Sequence, residues 1–98
     1  MKVRWTPRAV EDLKTISRYI GRNDPAAARQ FADKLQRRAE SVRRFPNRGR
    51  TPPEVDSEDI RELIEGNYRI VYRVLKDAVH ILTLFEGYRL ADDPDRED

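Results

Sequence analysis

Cysteine is absent from this 98-residue chain, and histidine, methionine and tryptophan occur once each. Without cysteine there is no disulfide framework, no thiolate metal site and no thiol nucleophile. The single histidine, His80, gives little to a zinc site, and the acidic residues form no recognisable ligand cluster, so neither a metal nor another cofactor is expected. No segment approaches the roughly 20 apolar residues of a membrane span. Met1-Lys2-Val3-Arg4-Trp5 also lacks the apolar run of a signal peptide, and the expectation is a soluble, cytoplasmic protein. A chain of this length supports one domain with a modest core and a thin stability margin.

Charge is abundant instead. The net value of +2 hides an asymmetry: residues 1–50 hold fourteen Lys/Arg against five Asp/Glu, and residues 51–98 hold six against thirteen. Much of the acid falls in Ala91-Asp92-Asp93-Pro94-Asp95-Arg96-Glu97-Asp98, which offers nothing to bury and is expected to be a disordered tail. The expected domain therefore spans residues 1–90, with the tail at 91–98. Its basic body suits a polyanion or an acidic protein partner.

Val3 and Trp5 alternate with Lys2 and Arg4, the pattern of a short strand, and Thr6-Pro7 then supplies an N-cap and a first helical residue. Ala9, Leu13, Ile16 and Ile20 form an amphipathic stripe ending near Gly21. Asp24-Pro25 repeats the start signal for a second helix, whose stripe is Ala28, Phe31, Leu35, Ala39 or Val42, and Phe45, with Pro46 ending it. Turn-forming residues make a surface loop of Pro46 to about Ser57. Strands follow at Asp59–Glu65, Tyr68–Val74 and Val79–Phe85, the first two joined at Gly66-Asn67.

This order predicts an α+β fold, in which an N-terminal strand precedes an antiparallel helical hairpin packed on one face of an antiparallel β-sheet. The expected core takes in Val3 or Trp5, Leu13, Ile16, Ile20, Phe31, Leu35, Ile70, Tyr72, Val74, Ile81 and Phe85. Strand alternation turns Tyr68, Ile70, Tyr72 and Val74 to that core and sends Arg69, Val71 and Arg73 the other way. Arginines held on a stiff sheet are ordered in advance for phosphate or carboxylate.

Four segments in order carry a family resemblance: Trp5-Thr6-Pro7-Arg8-Ala9-Val10-Glu11-Asp12-Leu13 with Ile16 and Tyr19-Ile20, then Phe45-Pro46-Asn47-Arg48-Gly49-Arg50, Ile60-Arg61-Glu62-Leu63, and Tyr68-Arg69-Ile70-Val71-Tyr72-Arg73. From Val3 to about Arg89 the chain resembles the RelE/ParE superfamily of type II toxin–antitoxin toxins. The resemblance implies a toxin held inactive by a cognate antitoxin, reaching operator DNA only through it. The spacing Pro7-x-Ala9-x-x-Asp12-Leu13-x-x-Ile16-x-x-Tyr19-Ile20 looks more like the ParE branch, which implies plasmid stabilisation or growth inhibition by poisoning DNA gyrase. The RelE branch implies a ribosome-dependent mRNA endonuclease.

Set against the RelE pattern, Arg61, Arg69 and Arg89 fall at cationic positions, but Leu63 stands at a second basic position and the C-terminal tyrosine has no counterpart beyond Arg89. Arginine stays protonated and makes a poor general base. An enzyme would need its proton transfer from His80, Glu86 or Tyr88, with Arg61, Arg69 and Arg89 completing the catalytic candidates. A gyrase-directed protein would use Arg61, Arg69, Arg73 and Arg89 as target contacts. A third reading is a non-toxic regulatory module that binds antitoxin and operator DNA.

Overall fold

The computed structural model describes residues 1–87. The expectations for Tyr88, Arg89 and the 91–98 tail lie outside the described residues.

Strand β1 (Lys2–Trp5) leads into helices α1 (Pro7–Gly21) and α2 (Pro25–Glu40), followed by strands β2 (Ile60–Glu65), β3 (Tyr68–Val74) and β4 (Ala78–Glu86). Both helices begin at the caps foreseen. The Thr6 hydroxyl accepts from the Ala9 amide at 3.1 Å and the Asp24 carboxylate accepts from the Ala27 amide at 3.1 Å, each followed by a proline that needs no donor. The Thr6 hydroxyl also lies 2.9 Å from the Ile81 carbonyl oxygen, which pins the start of α1 to β4.

The sheet runs β1-β4-β3-β2. Its last three strands are antiparallel, as expected. β1 joins parallel to β4, with Lys2 opposite Ala78 and Trp5 opposite Ile81, so the whole sheet is mixed. Between β2 and β3, Gly66 alone takes a positive φ of 62°, the pattern of a two-residue type II′ turn.

Helices and sheet enclose Ala9, Ile16, Leu35, Ala39, Val42, Leu63, Ile70, Tyr72, Val79, Ile81 and Leu84, with Val3, Trp5, Leu13, Ile20, Phe31 and Val74 packed against them. Two expectations need correction. Phe85 does not enter this core: Val71 pairs with Thr83 but Tyr72 with Ile81, so Leu82 is an extra residue in β4. The bulge reverses the alternation, which sends Leu84 inward and Phe85 to the opposite face. Phe45 also leaves the α2 stripe. The helix stops at Glu40 and tightens into a 3-10 turn at Ser41–Arg43, so Val42 completes the buried face while Phe45 is 54% exposed.

The ParE-like helix motif includes Asp12, whose role in this fold is architectural. β1 ends at Trp5, leaving the outer edge of β4 unpaired beyond Leu82. The Asp12 carboxylate takes over there, accepting from the Leu84 amide at 3.1 Å and from the Thr83 hydroxyl at 2.5 Å.

Candidate functional site

The sheet face turned away from the helices carries most of the candidate residues. Register places Ile60, Arg73, His80 and Arg4 across all four strands in one row, and Glu62, Val71 and Thr83 in a second. Ile64, Arg69 and Phe85 form a third. Over part of this face runs the segment joining the 3-10 turn to β2, which brings carboxylates to the arginines.

Arg69 is the centre of that arrangement. It is only 2% exposed, correcting the expectation of an arginine held open to a target. Its Nη1 donates to Glu54 at 2.8 Å and lies 3.0 Å from Glu62 Oε1, a charge contact off the hydrogen-bond axis. Glu62 is itself buried and receives Arg50 Nε at 2.7 Å. The Phe85 ring sits 5.7 Å from the Arg69 guanidinium carbon, within cation–π range. A buried ion pair stabilises little relative to an apolar pair, but removing one partner strands a charge. Arg50, Glu62, Arg69 and Glu54 therefore stand or fall together. Burial works to raise the Glu54 carboxyl pKa, yet its own backbone amide, the Arg69 hydrogen bond and the charges of Arg69 and Arg50 leave it below the ordinary value.

Arg73 keeps a 42% exposed side chain and donates to Asp59 at 2.6 Å. The Ser57 hydroxyl is the first cause of a lowered Asp59 pKa; burial opposes it, and Arg73 adds to the lowering. His80 lies between Arg73 and Arg4 on the adjacent strands, half-buried. Sequence reasoning missed Arg4, because only the parallel docking of β1 puts it beside His80. The alternation Lys2-Val3-Arg4-Trp5 had already marked Arg4 as facing away from the core.

Arg61 lies on the helix side of the sheet, opposite Tyr72, and is separated from Arg69 and Arg73 by the sheet itself. Its Nη1 donates to the Gly49 carbonyl at 2.7 Å. Beside it the buried Tyr72 hydroxyl donates to the Pro46 carbonyl at 2.9 Å and accepts from the Gly49 amide at 2.8 Å. Burial raises the Tyr72 pKa, with the Gly49 amide pulling the other way, so the hydroxyl keeps its proton. Glu86 is exposed at the end of β4, opposite Tyr68 and well along the strand from His80. The described nuclease candidates are thus dispersed: Arg61 on one face, Arg69 buried on the other, and His80 and Glu86 at opposite ends of β4.

Two helices over one face of a four-stranded mixed sheet, with a loop clamped across the other, define a small α+β architecture. The family model for the ParE toxin of the type II toxin–antitoxin system parDE matches residues 3–90. Toxin RelE2 of Caulobacter vibrioides is 38% identical over 90 residues, covering 91% of this chain and 98% of the relative. Putative toxin Y4kP of Sinorhizobium fredii is 33% identical over 90 residues, covering 90% of each. The solved chromosomal ParDE system from P. aeruginosa shares the fold, with a TM-score of 0.73 at 22% identity over 88% of this chain and 95% of that one. The toxin–antitoxin complex RelBE2 from Mycobacterium tuberculosis gives a TM-score of 0.55 at 26% identity, covering 89% and 91%. The chain belongs to the ParE toxin family of the RelE/ParE superfamily and is a toxin of the type II toxin–antitoxin class.

Proposed function

We propose that this toxin acts in the cytoplasm by binding and inhibiting DNA gyrase, and that a cognate antitoxin neutralises it. The observation that carries the reading is the commitment of Arg61 and Arg69 to internal partners, the Gly49 carbonyl and the Glu54–Glu62 carboxylates. Phosphoryl chemistry needs such cations open to the reacting phosphate and a proton-transfer group close by. A protein-binding toxin needs a stable scaffold and surface charge. In this reading Arg73, with Arg4 further along the same row, contacts the target, Arg61 and Arg69 act by holding the loop and sheet in shape, and Arg89 is a further target contact.

The antitoxin reading is supported by the two structural relatives, a ParDE toxin–antitoxin system and a RelBE2 toxin–antitoxin complex. Strand addition beside β2 is disfavoured, because its outer edge is already used: Glu62 exchanges both backbone bonds with Arg50, and the Ile64 carbonyl accepts from Arg38 at 3.1 Å. A shallow hollow of about 340 Å³ lined by Ile20, Ala27, Gln30, Phe31 and Lys34 suits an amphipathic antitoxin segment better.

The test is expression without antitoxin, following gyrase–DNA breaks and mRNA integrity together. Stabilised gyrase–DNA breaks with intact mRNA are expected, weakened by Arg73→Ala and nearly unchanged by His80→Ala. Early cuts in translated mRNA with gyrase unaffected would overturn the proposal in favour of a ribosome-dependent endonuclease, for which loss of an acid–base group lowers the rate about 10²–10⁴-fold.

A further inference from the structure

Among the described residues, Phe45 is the most exposed large side chain without a polar atom. It is 54% exposed, and the guanidinium carbons of Arg48 and Arg44 lie 5.4 Å and 6.0 Å from its ring centroid. Among the described residues no carboxylate lies within ion-pair distance of Arg44 or Arg48, whereas neighbouring Arg43 is held by Glu40 at 2.8 Å and Arg50 by Glu62. The ring therefore sits among uncompensated cations.

The backbone beneath is held rigidly. Tyr72 bonds both the Pro46 carbonyl and the Gly49 amide, Arg61 bonds the Gly49 carbonyl, and the Arg48 amide closes a turn onto the Phe45 carbonyl at 3.0 Å. A Cβ at Gly49 would fall 2.5 Å from the Glu62 carbonyl oxygen, so the turn is pressed against the sheet with no slack. A rigid base presenting one aromatic ring between two arginines is ordered before any partner arrives, which lowers the cost of binding.

We propose that the Arg44-Phe45-Arg48 turn is a stacking platform for a single nucleic-acid strand. A base lies against the open part of the Phe45 ring, and Arg44 and Arg48 meet the flanking phosphates. An acidic amphipathic helix fits less well. It would need a row of apolar contacts spaced along its length, whereas Phe45 is the sole exposed large hydrophobic residue between Tyr19 and Ile64 in the chain. A π-face flanked by cations matches what each nucleotide supplies, a flat base and an anionic linkage. The site is independent of the gyrase reading and separate from the Arg69 network.

The experiment measures fluorescence anisotropy of labelled oligothymidylate and oligouridylate, each of about twelve nucleotides, with the purified full-length toxin. Both strands are expected to bind if the platform reads stacking and phosphate alone; binding of one only assigns the site to DNA or to RNA and still supports it. Phe45→Ala is expected to weaken binding about 5- to 150-fold, from the value of stacking one base, while Phe45→Trp retains it. Arg48→Gln should lower the slope of log affinity against log salt by about 0.7. Unchanged thermal melting confirms that these exposed substitutions leave the fold intact. The inference is overturned if neither strand binds, if Phe45→Ala binds as well as the parent, or if an oligoglutamate peptide binds as tightly with the same dependence on Phe45. Because no growth readout enters, none of these failures touches the gyrase proposal.

Discussion

Tyr72→Phe removes one oxygen atom and two hydrogen bonds, and the consequence is expected to be large. Among the described residues the Tyr72 hydroxyl is the sole partner of the buried Gly49 amide, and it also donates to the Pro46 carbonyl. An unsatisfied buried amide costs about 1–3 kcal/mol, and loss of the second, partly buried bond adds about 0.5–1.5. A destabilisation of about 1.5–4.5 kcal/mol follows, a substantial part of the roughly 5–15 kcal/mol holding a domain of this size together. At about 4–8 °C per kcal/mol, the melting temperature should fall by about 6–36 °C. Urea unfolding with an unchanged m-value measures the loss directly. Hydrogen exchange then locates it: the Gly49 amide should exchange faster while the β3–β4 ladder keeps its relative protection. A loss below about 0.5 kcal/mol with the Gly49 amide still protected would refute the reasoning and show that the loop is held by other contacts.

Leu35, fully buried in the centre of α2, should cost about 2–5 kcal/mol on truncation to alanine, measurable by the same unfolding experiment. Asp12→Ala should cost about 1.5–3 kcal/mol by freeing the Leu84 amide and the Thr83 hydroxyl, with faster exchange confined at first to the end of β4. Glu54 and Asp59 have folded-state pKa values below their ordinary 4.5 and 3.8, so each contributes stability that is present above those values and lost as pH falls through the lower folded-state values. Stability should accordingly decline below about pH 4.5, and Glu54→Gln should flatten that decline; an unaltered acid limb in the variant would contradict the assignment.

Local chemistry made the helices and hairpins legible. Thr6-Pro7 and Asp24-Pro25 are cap signals whose meaning does not depend on the rest of the fold, and both start helices where they should. Gly66-Asn67 is equally local. What escaped the sequence is set by long-range pairing. Nothing in Lys2-Val3-Arg4-Trp5 says that β1 will dock parallel to a strand some 75 residues away, so the Arg4–His80–Arg73 row was invisible. The extra residue at Leu82 is a property of the β3–β4 register, and it exchanges Leu84 for Phe85 in the core. The burial of Arg69 depends on Glu54, which comes from a loop whose path over the sheet no periodicity describes. Family-like motifs were found as strings, but Asp12 shows that one such residue completes a sheet edge.

The charge asymmetry of the chain illustrates how far composition can guide a functional reading. The basic first half and acidic second half suggested a broad cationic surface. In the folded protein much of that contrast is spent across the halves, since Lys34 and Arg38 meet Glu65 at 3.2 Å and 3.1 Å, and Arg50 meets Glu62 at 2.7 Å. Within the second half Arg69 and Arg73 are matched by Glu54, Glu62 and Asp59. The exposed pairs among these contribute little stability singly, the buried Arg69–Glu62 pair would strand a charge if broken, and together they decide which cations stay available to a partner. Among the described residues, Arg4 in the first row of the sheet and Arg44 and Arg48 around Phe45 have no carboxylate within 4 Å to match them. Exposed Lys2, Lys14, Arg22, Arg29, Arg37 and Lys76 likewise have no such carboxylate. A wide cationic surface therefore survives the internal pairing, and discrimination between partners has to come from shape and from local geometry such as the Phe45 turn, because charge alone would attract any polyanion.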